Sequence, residues 1–144
     1  MTVLYGTITA PRGANPVGVV DGSLQGGHVR CYREIITLAT QTTSDTIVVA
    51  LPSKGESFLY GIHTTDTSLG SSTLAMGATG ATGKYRAAAV FTTTLTPTLF
   101  GAVLTNLNGL SAKLTADEVS FITIATASLP ASGTYIVDMY FAQT

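Results

Sequence analysis

The sequence predicts an all-β protein: a single β-sandwich domain, jelly-roll-like, with about eight strands. Three observations point there. Apolar residues recur with period two in several segments, the signature of half-buried strands. Threonine and β-branched residues, which suit strands and disfavour helix interiors, run throughout, as in Thr92-Thr93-Thr94. Turn signals separate the segments: Asp21-Gly22, Gly26-Gly27, Pro52-Ser53-Lys54-Gly55 and Asn106-Leu107-Asn108-Gly109. Many short strands with regular turns indicate a sandwich or barrel, and eight strands in 144 residues fit a jelly roll best.

The first expected strand is Val3 to Ala10. A Gly- and Pro-rich stretch over 11–27, opening Pro11-Arg12-Gly13-Ala14-Asn15-Pro16, reads as a loop or arm of one domain spanning 1–144. Strands follow at Val29 to Ala39 and Thr46 to Leu51. Ser57 to Thr64 comes next, with Phe58, Tyr60 and Ile62 expected on one face. A short strand covers Thr73 to Met76. In Lys84 to Thr93, Tyr85, Ala87, Ala89 and Phe91 alternate with Lys84, Arg86, Ala88 and Val90. Leu99 to Thr105 and Val119 to Ala127 are the next strands. In Thr134 to Ala142, Tyr135, Val137, Met139 and Phe141 face one way and Thr134, Ile136, Asp138 and Tyr140 the other. Leu129 to Gly133 suits a hairpin loop joining the last two strands. The only helix signal is Thr115-Ala116-Asp117-Glu118, a capping-box pattern for one turn.

Only 10% of the residues are charged, against about 25% in an ordinary soluble domain. Exposed surfaces need charge to stay soluble. A β-rich chain so poor in charge is expected to work with much of its surface covered by other protein. The net charge is −1, with seven Lys plus Arg against eight Asp plus Glu and no basic stripe, so nucleic acid is not an expected partner. No apolar run approaches the roughly 18 to 20 residues of a membrane span, and no secretory signal pattern opens the chain. A single cysteine excludes an intramolecular disulfide framework and fits synthesis in a reducing cytosol.

The chemical motifs are weak. Gly77 to Gly83 is a small Gly-x-x repeat followed by Lys84-Tyr85 and a strand. A phosphate loop needs a helix and Lys-Ser or Lys-Thr there, so a flexible loop is expected. His28 and Cys31, three apart, point to opposite faces of a strand, and Cys31 is expected to be a buried thiol. His63 with Asp66 lacks metal-site spacing, and Asp66 to Gly70 reads as an Asx or ST turn. Ser71-Ser72 has no nucleophile elbow, and Asp117-Glu118 reads as a solvated turn or cap, not a glycosidase pair. No cofactor, metal or catalytic set is expected. The densest charge is Arg30, Arg33, Glu34, Lys84 and Arg86. It is either ordinary solvated charge or an interface across a subunit boundary.

The segments Leu51 to Gly55, Phe58 to Thr65, Ser68 to Gly70, Gly83 to Ala88 and Ala127 to Thr134, over roughly two thirds of the chain, resemble small virion proteins of tailed bacteriophages, of the capsid decoration (cement) or head-fibre type. That resemblance implies a β-sandwich bound to the outer capsid surface, commonly as a homotrimer, with the major capsid protein as partner. It also implies synthesis in the bacterial host cytoplasm and carries no catalytic residues. On this reading the protein is a non-enzymatic structural protein that bridges capsid subunits. A receptor- or glycan-binding module of a head or tail fibre is the alternative. The chain has no Trp for a sugar platform, but its six Tyr are able to substitute.

Overall fold

A computed structural model describes residues 28–101 and 113–143. The expected strand Val3 to Ala10, the 11–27 stretch and the Asn106 to Gly109 turn lie outside the described residues. The strands run in the order β1 (His28–Thr37), β2 (Thr46–Ala50), β3 (Glu56–Thr65), β4 (Thr73–Ala78), β5 (Ala81–Val90), β6 (Thr98–Phe100), β7 (Ser120–Ala125) and β8 (Thr134–Gln143). They form two antiparallel four-stranded sheets, β1-β8-β3-β6 and β2-β7-β4-β5. Strands whose numbers sum to nine are neighbours, so the chain is a long hairpin rolled up around β4–β5. That is the jelly roll. Among the described residues there is no helix. The capping-box segment is a bend whose Asp117 Oδ1 accepts the Lys54 amide at 2.8 Å.

The sandwich interior explains the alternation. Tyr135, Val137, Met139 and Phe141 of β8 are all fully buried. They meet Leu74 and Met76 of β4, Ile122 and Ile124 of β7, and Phe58 and Tyr85 in one core cluster. Phe58 sits at the aromatic centre, 4.6 Å from the Tyr85 ring and 5.4 Å from that of Phe141. Each large side chain buried this way contributes about 1.5–3 kcal/mol.

Four expectations are corrected. The last two strands are not a hairpin: β7 and β8 lie in different sheets. The Leu129 to Gly133 connection crosses between them, held by Leu129 N to Gln41 O at 2.8 Å, Thr40 N to Pro130 O at 3.0 Å and Leu38 N to Gly133 O at 2.8 Å. Gly77 to Gly83 is not a loose loop. It is the tight turn of the β4–β5 hairpin, where Ala78 pairs with Ala81 and Gly80 takes φ +79°. In β3, Phe58, Tyr60 and Ile62 do not share a face. A bulge between Phe58 and Tyr60 inserts Leu59 and reverses the parity, so Phe58, Gly61, His63 and Thr65 point inward. Along β5 and the residue after it, only Tyr85 and Phe91 of the expected apolar face are buried. The register against β4 shifts between Met76–Arg86 and Leu74–Ala89, and Ala87 and Ala89 are exposed on this edge strand.

Candidate interaction surface

The outer face of the β1-β8-β3-β6 sheet follows from register alone. With the odd-numbered residues of β8 in the core, Ile136, Asp138, Tyr140 and Ala142 point out. Ile35 lies beside Ile136, Arg33 beside Asp138, Cys31 beside Tyr140 and Val29 beside Ala142. Tyr60 and Ile62 continue the rows on β3, and Leu99 ends one on β6. Val29, Ile35 and Leu99 are 56%, 60% and 69% exposed. Tyr60 and Tyr140 stack at 4.7 Å. One ion pair occupies the middle: Arg33 Nε and Nη2 donate to Asp138 Oδ1 and Oδ2 at 2.7 and 2.6 Å. Asp138 is buried beneath that contact. The carboxylate also holds the Arg33 proton more tightly than usual. The face is therefore apolar, aromatic and neutral, a composition typical of interface centres.

The five charged residues singled out in the sequence do not come together. Arg30, Arg33 and Glu34 lie on β1, at one edge of its sheet, and Lys84 and Arg86 on β5, at the edge of the other sheet away from β2. Arg33 alone belongs to the outer face just described. Arg30, on the opposite side of β1, is 3.4 Å from the fully buried Glu56, whose other oxygen accepts Tyr32 OH and Ser53 N, each at 2.9 Å. Lys84 Nζ is 2.5 Å from Glu118 Oε2, and Tyr85 OH donates to the same carboxylate. That bond and burial push the Tyr85 phenol up, burial first. Arg86 is half-buried and turned back on its own hairpin. Its guanidinium donates to Leu74 O, to Ala89 O at 3.2 Å and to Val90 O at 3.3 Å.

Sequence reasoning missed Tyr60, Ile62 and Leu99 as surface residues. The available signal was β8 itself, which carries apolar residues on both faces.

Cys31 is a further correction: it is exposed, on the outer face, not packed in the core. The apolar pattern of β1 misleads because an edge strand exposes both flanks. His63 is the buried one. Its ring stacks on Phe91 at 3.8 Å and its Nδ1 is 2.8 Å from Tyr135 OH. Burial first, then Arg86, pulls its pKa down to about 3, so it is neutral. Asp66 serves a turn, accepting Thr134 N at 2.7 Å and Thr67 OH at 3.0 Å. Those bonds hold its carboxyl below the usual range. Among the described residues no three His, Cys, Asp or Glu side chains gather as metal ligands.

A groove of about 370 Å³ opens between the edges of β1 and β2, lined by residues 31–34 and 48–51. A second, of about 240 Å³, continues past Leu51 to Asp117, Glu118 and Val119. Neither holds a converging set of nucleophile, base and oxyanion donors.

No protein-family model matches the chain, and no curated protein matches it. Solved structures share its fold. A chain in the capsid asymmetric unit of cyanophage Pam1 superposes with a TM-score of 0.65 at 20% identity, over 83% of this chain and 88% of that one. A chain in the capsid of Ralstonia phage GP4 superposes with a TM-score of 0.61 at 17% identity, over 81% and 85%. The jelly roll of this chain is thus the fold of chains found in two phage capsids.

Proposed function

We propose that this protein is a non-enzymatic structural component of a phage virion, and specifically a decoration protein on the outer capsid surface, made in the bacterial host cytoplasm. The observation that carries the reading is the outer face of the β1-β8-β3-β6 sheet: four exposed large apolar side chains around an internally neutralised ion pair. A flat apolar sheet face without free charge is suited to burial against protein. The fold it shares with chains of two phage capsids supports the setting. Each copy, in a trimer, would lay this face on major capsid protein and bridge adjacent subunits. Standard interfaces bury about 800 Å² per partner, and many such contacts over a shell resist expansion together.

The test is addition of purified protein to capsids assembled without it. Bound protein should raise the shell's heat resistance by mass action, with weak salt dependence. Ile35→Glu and Tyr60→Glu, which place charge on the face, should abolish both effects while leaving the sandwich folded. Wild-type protein that ignores capsids sinks the reading. The stacked, outward-facing Tyr60 and Tyr140 favour one other reading, a glycan- or receptor-binding module, and binding to host cells or glycan arrays instead of capsids would select it.

A further inference from the structure

Jelly rolls leave four sheet edges, and three of them are protected here. β6 is three residues long. β2 is five, and its register breaks between Val48 and Ala50. β5 is broken twice against β4. β1 differs. It pairs with β8 in unbroken register over ten residues, from His28–Gln143 to Thr37–Thr134, and among the described residues nothing pairs with its other side. Its arginines do not guard that edge, because Arg33 turns to Asp138 and Arg30 to Glu56. A long, flat, unprotected edge is a template for another strand. The groove beside it is lined by residues 31–34 and by Val48 to Leu51, and is apolar apart from Arg33 and Glu34.

One strand pattern of the sequence, Val3 to Ala10, lies outside the described residues. We propose that residues 3–10 add to β1 of the same chain as an antiparallel fifth strand. Leu4 and Ile8 would then enter the groove, and Val3, Tyr5, Thr7 and Thr9 would extend the outer face beside Val29, Cys31 and Ile35. The chain between supports the same-chain choice. Asp21-Gly22 and Gly26-Gly27 are turn dipeptides in the sequence, the second immediately before β1, and a reversal at that point is what an antiparallel neighbour would require. Closing so local a loop costs little entropy. The inference does not depend on the decoration role.

Cys31 supplies the test, since it is exposed on β1 and is the only cysteine. Tyr5→Cys, Thr7→Cys and Thr9→Cys span the registers that bring an outward side chain opposite it. Under mild oxidation one of the three should form a disulfide within the chain, migrating as monomer on a non-reducing denaturing gel and mapped by peptide mass. Dimer bands alone, or no disulfide at any of the three, overturn the proposal. Hydrogen exchange gives an independent reading. Deleting residues 1–10 should speed exchange at least tenfold at those β1 amides that point away from β8, leaving β3 and β8 unchanged. Unaltered β1 exchange also overturns it.

Discussion

Arg33 and Asp138 face each other directly across the β1–β8 ladder, joined by two hydrogen bonds of 2.7 and 2.6 Å, although 105 residues separate them in sequence. Arg33 is mostly exposed and Asp138 is buried, so the pair is asymmetric. Removing the arginine strands a buried carboxylate, whereas removing both charges strands nothing. Arg33→Ala should therefore lower the thermal midpoint clearly. Arg33→Met with Asp138→Leu should recover most of the loss, as read by calorimetry at neutral pH. A double variant no more stable than Arg33→Ala would show that the pair does more than satisfy itself.

His63 should make the fold acid-sensitive. Its folded pKa of about 3 lies below the ordinary 6.5, so between those values the unfolded chain binds a proton that the folded one refuses. Stability is then fully present above about pH 6.5 and is lost as pH falls toward 3, by an amount on the order of a few kcal/mol. Denaturant unfolding from pH 3 to 8 should show this slope. His63→Gln should flatten it, at some cost in stability at every pH from lost stacking on Phe91.

Gly61 has no room for a side chain. A Cβ there would lie 2.1 Å from Cζ of Phe100, whose ring covers the glycine from β6. Gly61→Ala should cost about 1–3 kcal/mol through overpacking. Phe100→Leu added to Gly61→Ala should be less harmful than the two single changes summed. Strict additivity in a double-mutant cycle would contradict that contact.

Cys31 should react with a thiol reagent in the folded, isolated protein, one equivalent per chain, because it is exposed. Cys31→Ser should change stability by no more than about 0.5 kcal/mol. Docking through the outer face should then suppress labelling. Undiminished labelling in the assembled particle would move the contact elsewhere.

Leu95 holds a left-handed conformation, φ +54°, while 76% exposed. That backbone costs a branched residue about 1–2 kcal/mol, against roughly 0.5–1 kcal/mol of extra unfolded-state freedom for glycine. Leu95→Gly should be neutral to stabilising by up to about 1 kcal/mol in urea unfolding. A clear loss would mean that the leucine side chain makes a contact worth more than the strain.

The strands were largely legible from sequence because period two is a local property. Tyr135, Val137, Met139 and Phe141 announce a buried face without reference to anything else. Three kinds of feature were not legible. A single inserted residue, Leu59, exchanges the faces of half a strand, and nothing in Phe58-Leu59-Tyr60 marks it. Burial at an edge depends on what lies beside it, so Cys31, flanked by apolar alternation, is exposed. Pairing is non-local: Arg30 and Lys84 look like members of one cluster until β1 and β5 are found on outer strands of different sheets. The candidate docking face was therefore half visible, as the second apolar side of β8, while its partners on β3 and β6 required the fold.

The nested order of the strands also dictates a history. Of the pairs that sum to nine, only β4–β5 is local. β3–β6, β2–β7 and β1–β8 each close a larger loop around it. β8 is the last of the described strands to leave the ribosome, yet it sits between β1 and β3 and is the partner both require. Until it emerges, β1 and β3 stand with open edges, and topologies this non-local fold slowly once complete. The nascent chain is therefore most prone to aggregation until residues 134–143 have emerged, and a chain held with those residues still in the ribosomal tunnel should have formed its β4–β5 hairpin and not its first sheet.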